Sequence, residues 1–413
     1  MNLMKSYLLA AAAALAVTGH AGELGSGADR FGRLDTYVQG LIERGAYAGA
    51  VTYIAHNGKL VQLRAYGHAD VARRRVMAPD AIFRIYSMSK TITTVAVLTL
   101  MEEGKIGLDD PVENYLPEFK GIAVFSGGTA DAPRLRAPNS PPTIRQLLTH
   151  TAGFAVYGKR SDPVNTIFDR AQLGNSRNLE QYTTLLSKLP LAHEPGAQFH
   201  YDGVGMQPLA RLVERISGMP FDRYLQRRIF TPLGMVDTGF TVPLQDRQRI
   251  VEMSSTSIDG KLVSAGMLAA PGERMNPYLS GAGGLYSTVI DYGRFAQMLL
   301  NGGTLDGISI LGRHSVELMM QNHLAQMDPP EIGPGLGFGL GGSVLLDPLR
   351  SGRPGSLGQF GWSGAGGTYF MIDPHEKLLA LLMLQHLPQD LPLDPPKPAL
   401  KFYTLVYQAL APQ

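Results

Sequence analysis

Apolar residues recur at helical spacing from Arg30 to Gly45, where Leu34, Tyr37, Val38, Leu41 and Ile42 share one face, so this stretch is predicted to be an amphipathic helix. Two short apolar runs follow, Gly49 to His56 and Leu60 to Tyr66, joined by Asn57-Gly58. That dipeptide between apolar runs is the strongest short signal for a β-hairpin. Helical spacing returns from Ser87 to Gly104 through Ile92, Val95, Leu98, Leu100 and Met101, with Gly104 as the stop. From about Asp110 to Met275 the texture changes to helices, among them Thr143 to Leu148 and Gln207 to Ser217, separated by long Pro/Gly loops such as Gly121 to Pro142. Near the end, Gly367 to Ile372 and Leu378 to Leu384 flank Asp373-Pro374-His375-Glu376 and read as a second hairpin. The second of these runs is too short for a typical helix. There is no internal repeat. Strands at both ends with helices between them predict one α+β domain that encloses a mainly helical subdomain, roughly 110–275, with a cleft where the two parts meet.

Composition narrows the chemistry. Of 413 residues 44% are hydrophobic and 17% charged, enough for a large core and too apolar for bulk disorder. The formal net charge is +2 with no strongly basic block, which excludes a nucleic-acid footprint. The chain has no cysteine. Disulfides, thiolate nucleophiles, iron–sulfur clusters and thiolate zinc sites are excluded together. None of the ten histidines falls in an HExxH motif or another tight ligand spacing, so no metal site is expected.

The first residues read as a targeting segment. Lys5 precedes an apolar run from Tyr7 to Val17, and Gly19-His20-Ala21 places small residues at the −3 and −1 positions of a cleavage site. The run is about 11 residues, well short of the roughly 20 that span a bilayer. Residues 1–21 are therefore expected to be a signal peptide cleaved after Ala21, and residues 22–413 one secreted or periplasmic domain with no membrane span. An uncleaved anchor or a buried N-terminal helix is the alternative.

Three local patterns can carry chemistry. In Ser87-Met88-Ser89-Lys90, at the start of the helix expected from Ser87, the i, i+3 spacing puts the lysine one turn along on the serine's face. Free N–H groups and the positive end of the helix dipole favour an oxyanion there, and an amine can take the serine proton. Ser87 as a simple N-cap and Lys90 as a solvated first-turn residue is the bland reading. Tyr201 follows the Pro195-Gly196 turn just before a helix, on a loop facing the cleft, where a phenol beside an ammonium can serve as general base. Gly361-Trp362-Ser363-Gly364-Ala365-Gly366-Gly367 holds the only tryptophan, followed by small residues against which a substrate can lie; a backbone N–H there can be a second oxyanion donor. The same segment nearly spells the G-x-S-x-G elbow of α/β-hydrolases. Only about 50 residues remain after Ser363 for an acid and a histidine, and no helix pattern follows it directly.

In this order the three motifs resemble the serine β-lactamase and penicillin-binding-protein superfamily, and within it the class C β-lactamase-related family VIII carboxylesterases. Ile82-Phe83-Arg84-Ile85-Tyr86 before Ser87, Gly107 to Val112, Thr143 to Gly153 and Gly281 to Ser287 support the resemblance over nearly all of the mature chain. It implies a β-lactamase/transpeptidase-like fold, an antiparallel sheet flanked by helices. Ser87 would be the acylated nucleophile, Lys90 its activating partner and Tyr201 the base that shuttles protons. The backbone N–H groups of Ser87 and Ala365 would form the oxyanion hole, and Trp362 and Gly364 would bind substrate. His150 and Thr151 would brace the helical part. No metal and no cofactor would be needed.

Two departures bear on the substrate. Class C enzymes carry an Asn two residues after the catalytic Tyr, where this chain has Gly203, and a Lys where it has Trp362. An uncharged aromatic wall favours an apolar group over a carboxylate beside the nucleophile. The expected activity is cleavage of small-molecule carboxylic esters, with short acyl chains, through an acyl-enzyme on Ser87. A β-lactamase or D-amino-acid-specific peptidase, and a silent binding protein, are the alternatives.

Overall fold

The computed structural model describes residues 30–154, 162–266, 269–325 and 327–410; the expected signal peptide lies outside them. Seven strands, β1 (Gly49–His56), β2 (Lys59–Gly67), β3 (Leu336–Phe338), β4 (Ser343–Leu345), β5 (Phe360–Gly364), β6 (Thr368–Asp373) and β7 (Leu378–Met383), form one sheet in the order β3-β4-β5-β6-β7-β1-β2. Every pairing is antiparallel. The pairing of β1 with β7, from Val51 opposite Met383 to His56 opposite Leu378, closes the two ends of the chain into one sheet.

Both predicted hairpins form. Asn57 and Gly58 take φ of 53° and 73°, the left-handed pair of a two-residue turn whose twist matches the strands. In the second hairpin Asp373 Oδ1 accepts from the backbone N–H groups of His375 and Glu376, both at 3.1 Å, and so closes the turn. Strand β7 is apolar without alternation because both its faces are covered. Leu378, Ala380 and Leu382 pack against α1 (Gly32–Glu43) and the C-terminal helix (Ala399–Leu410), with Leu34, Val38, Phe402 and Val406. Leu379, Leu381 and Met383 face the larger core.

Helix α2 (Ser89–Glu102) runs through that larger core and is buried from Ser89 to Leu100. Its threonines are buried along with its apolar positions. Their hydroxyls are paired: Thr91 Oγ1 donates to Gly341 O at 2.8 Å, Thr93 Oγ1 to Gly281 O at 2.7 Å, and Thr99 Oγ1 shares a hydrogen with the Tyr224 hydroxyl at 2.8 Å. Between 110 and 275 lie the helices Pro163–Ala171, Leu179–Leu186, α3 (Met206–Ser217) and Phe221–Leu225, and the predicted start at Thr143 is a capping box with Gln146 ahead of Ile144–Leu148. Helix α4 (Val289–Leu300) packs on β1, β6 and β7, and the C-terminal helix is α5. Among the described residues no helix is long and apolar enough to cross a membrane.

Candidate active site

Ser87 sits two residues ahead of the α-helix predicted to begin with it. It lies in a 3₁₀ turn, Tyr86–Met88, that runs directly into α2. Tyr86 has φ +42°, a left-handed backbone that a tyrosine adopts only under constraint from its surroundings. The constraint is visible on both sides. Ile85 N–H donates to Leu285 O at 3.0 Å, Arg84 N–H to the Gln385 side-chain oxygen at 2.7 Å, and the Tyr292 hydroxyl donates to Met88 O at 3.1 Å. The sharp entry leaves Ser87 half-buried at the wall of a cavity while its neighbours Met88 and Ser89 are buried.

The sequence pairing of Ser87 with Lys90 is present as a contact. Lys90 is 3% exposed, and its Nζ lies 3.0 Å from Ser87 Oγ and 2.8 Å from Ala282 O. The Ala282 carbonyl accepts one amine hydrogen and so fixes the nitrogen against the serine hydroxyl. This carbonyl is not among the sequence candidates, although it belongs to the Gly281-Ala282-Gly283-Gly284 string. Gln207 and Thr93 tie that loop down: Gln207 Oε1 accepts from Gly281 N–H at 3.0 Å, Gln207 Nε2 donates to Ser280 Oγ at 2.9 Å, and Thr93 Oγ1 holds Gly281 O.

Tyr201 reaches the same place from the helical part. Gly196, at φ +83°, turns the chain after Pro195, and its N–H donates to Thr151 O at 2.7 Å; His200 N–H donates to His150 O at 2.9 Å. These bonds lay the Tyr201 loop along the Thr149–Thr151 segment. The Lys90 Nζ stands 4.9 Å from the centre of the Tyr201 ring. His150, its side chain fully buried, packs edge-on to that ring at 4.8 Å. Glu331 is a further support that the sequence alone does not reveal. Its two oxygens take the Tyr201 N–H at 2.9 Å and the His200 Nδ1 at 3.0 Å, and it comes from 130 residues downstream with no motif around it.

Trp362 lies on β5, inside a strand rather than ahead of one. Its indole Nε1–H donates to the Tyr201 hydroxyl at 3.1 Å and its ring leans on the phenol at 5.0 Å between centres. After β5 the chain reverses through Ala365-Gly366-Gly367, closed by Gly367 N–H to Gly364 O at 3.0 Å. The Ser87 backbone lies in the 3₁₀ turn and the Ala365 backbone just after β5, and both residues border the cavity. Gly364 packs on the nucleophile turn so closely that a β-carbon there would stand 2.3 Å from Ile85 O. Gly364→Ala is therefore expected to push the two segments apart, lowering stability by about 1–3 kcal/mol and kcat/KM by roughly a hundredfold. Denaturant melts and steady-state rates check this, and a variant with parental kinetics would show that the contact does not set the position of Ser87.

Ser87, Tyr201, Trp362, Gly364 and Ala365 line one cavity of about 370 Å³. Its far wall carries Tyr47, Tyr369 and His386. Burial pushes the His386 imidazole below its ordinary range, and Ser254 Oγ lies 3.1 Å from its Nδ1. A larger cavity of about 780 Å³ between Arg84, Arg247 and Met253 does not reach Ser87. The sequence candidates thus converge: the Ser87 hydroxyl with its Lys90 amine, the Tyr201 phenol, Trp362, Gly364 and Ala365 meet at one hollow, an arrangement that acyl transfer through a serine ester can use.

Comparison with known proteins agrees with that geometry. A family model described as Beta-lactamase matches residues 34–400. Protein Rv1367c of Mycobacterium tuberculosis is 34% identical over 86% of this chain and 90% of its own length. Esterase EstB of Burkholderia gladioli is 29% identical over 85% of this chain and 89% of its own. Among solved structures, EstCE1, a hydrolase with promiscuous acyltransferase activity, superposes with a TM-score of 0.78 at 26% identity, covering 92% of this chain and 98% of that one.

Proposed function

We propose that this chain, which belongs to the β-lactamase family of serine hydrolases, cleaves small carboxylic esters through a covalent acyl-enzyme on Ser87. The observation that carries the reading is the Lys90 amine 3.0 Å from Ser87 Oγ with the Tyr201 ring beside it. Held against Ala282 O, Lys90 takes the serine proton as Oγ attacks the ester carbon. The amide N–H groups of Ser87 and Ala365 receive the oxyanion. Tyr201 passes the proton to the departing alkoxide, which leaves as the alcohol. A water then gives a proton to the Lys90–Tyr201 pair and attacks the acyl carbon; as the acyl–Oγ bond breaks, the pair returns that proton to Ser87 Oγ and the carboxylic acid leaves.

Support for esters over lactams comes from what lines the cavity. Trp362 fills the position where the class C pattern has a lysine, and its N–H can only donate; it adds no charge to hold a carboxylate next to the nucleophile. Gly203 lacks the amide expected two residues after the tyrosine, although a β-carbon there would meet nothing nearer than Ala282 Cβ at 3.5 Å. Relatives described as esterases point the same way. The purified protein is expected to hydrolyse p-nitrophenyl acetate or butyrate far faster than a chromogenic cephalosporin. Trp362→Lys should weaken apolar esters by about tenfold through lost apolar contact and narrow the gap to the cephalosporin. A parent that prefers the cephalosporin would make the protein a β-lactamase or a D-amino-acid peptidase instead.

A further inference from the structure

The catalytic cavity has a cationic rim and no acid. Lys397 lines it opposite the sheet, and no Asp or Glu is among its lining residues. The lysine is exposed, yet it is not a loose surface side chain. It stands in Pro395-Pro396-Lys397-Pro398, immediately before α5, where three prolines restrict the backbone. Two tyrosines, Tyr47 buried and Tyr37 half-buried, anchor that segment: the Tyr47 hydroxyl donates to Pro396 O at 3.2 Å and the Tyr37 hydroxyl to Pro398 O at 3.5 Å. Such a tether places the base of the Lys397 side chain without spending ligand affinity on ordering it.

A second cavity of about 290 Å³ continues from the first, sharing Trp362, Ser363, Tyr369 and Lys397 with it. Arg353 lines its other side. Among the described residues no carboxylate lies within ion-pair distance of either Lys397 or Arg353, although many of the other arginines have one. Glu331 also borders this second cavity, but both its oxygens are taken by the Tyr201 loop.

From these placements we infer that the preferred substrate is an ester bearing a carboxylate remote from the scissile bond, with its anion received by Lys397 and Arg353. The inference rests on the esterase reading and names the substrate class of that same site. It also reconciles the tryptophan with an anionic substrate. The indole excludes a carboxylate from the nucleophile, while the two cations accept one at the far end of the groove, beyond the Tyr369 ring.

Rates for 4-nitrophenyl hydrogen adipate and its neutral methyl-capped analogue form one test pair; 4-acetoxybenzoate and 4-acetoxybenzamide form a second, with the anion on the alcohol side. In at least one pair the parent is expected to favour the anion about three- to tenfold in kcat/KM at low salt. Lys397→Met and Arg353→Met should each shrink that ratio, mainly through KM, and 0.5 M salt should shrink it in the parent. Lys401→Met, the same charge change on α5 but lining neither cavity, should keep it. No anionic preference in either pair, or a preference untouched by both cavity variants, overturns the inference. Calorimetric titration of the Ser87→Ala protein with the uncleaved monoanionic ester reads the anion site without turnover. Loss of hydrolysis alone would thus strike the esterase reading, and loss of salt-dependent binding would strike this one.

Discussion

Ser87→Ala is expected to reduce hydrolysis of p-nitrophenyl butyrate by roughly a millionfold in kcat, leaving only what the oxyanion donors and binding supply over water. The size follows from the geometry. Removing Oγ deletes the one hydroxyl among the described residues that lies within a hydrogen bond of the Lys90 nitrogen. The substitution should leave the fold intact, since a methyl group at a half-buried wall neither fills nor opens the core. Lys90→Met should cost nearly as much, and the double variant scarcely more than either, because one group has no task without the other. Labelling with a fluorophosphonate separates chemistry from folding: the parent gains one adduct on Ser87 and the alanine variant none. Undiminished ester turnover in the alanine variant would end the assignment.

Much of this site can be read in the chain because its parts are local. Ser87 and Lys90 are three residues apart, so helical geometry alone joins them. The Asn57-Gly58 turn and the Asp373 turn are likewise decided by a few residues each. What could not be read is what arrives from afar. The Ala282 carbonyl and the Glu331 carboxylate act on residues 192 and 130 positions away, and backbone carbonyls carry no sequence signature at all. The buried threonine face of α2 defeats periodicity for a related reason: Thr91, Thr93 and Thr99 look solvent-facing until the loops that accept their hydroxyl hydrogens are in place. Strands β3 and β4, at three residues each, are too short to show a period, and they form because β5 offers an edge. The start of α2 differs from expectation by two residues because Tyr86, at positive φ, turns the chain sharply into the 3₁₀ turn Tyr86–Met88, and that turn presents the serine to the cavity.

Tyr201→Phe is expected to lower kcat/KM by about 10²- to 10⁴-fold for esters of simple alcohols, the range for loss of a general acid–base group. The phenylalanine ring keeps the packing on Lys90, His150 and Trp362. Only the hydroxyl goes, and with it the acceptor for the indole N–H of Trp362. Because the indole is half-exposed, water can replace that acceptor, so stability should fall by no more than about 1 kcal/mol. The leaving group then decides between a chemical and a structural role. An alkyl alkoxide needs a proton to depart, whereas p-nitrophenolate leaves unaided. If Tyr201 delivers that proton, acylation by ethyl esters should suffer far more than acylation by p-nitrophenyl esters, measured as the burst rate under excess enzyme. Deacylation, common to both, should slow equally for a shared acyl group. A loss of the same size in the burst rates for both leaving groups would assign the Tyr201 hydroxyl to holding the Trp362 indole in place, and the proton would have to travel through Lys90.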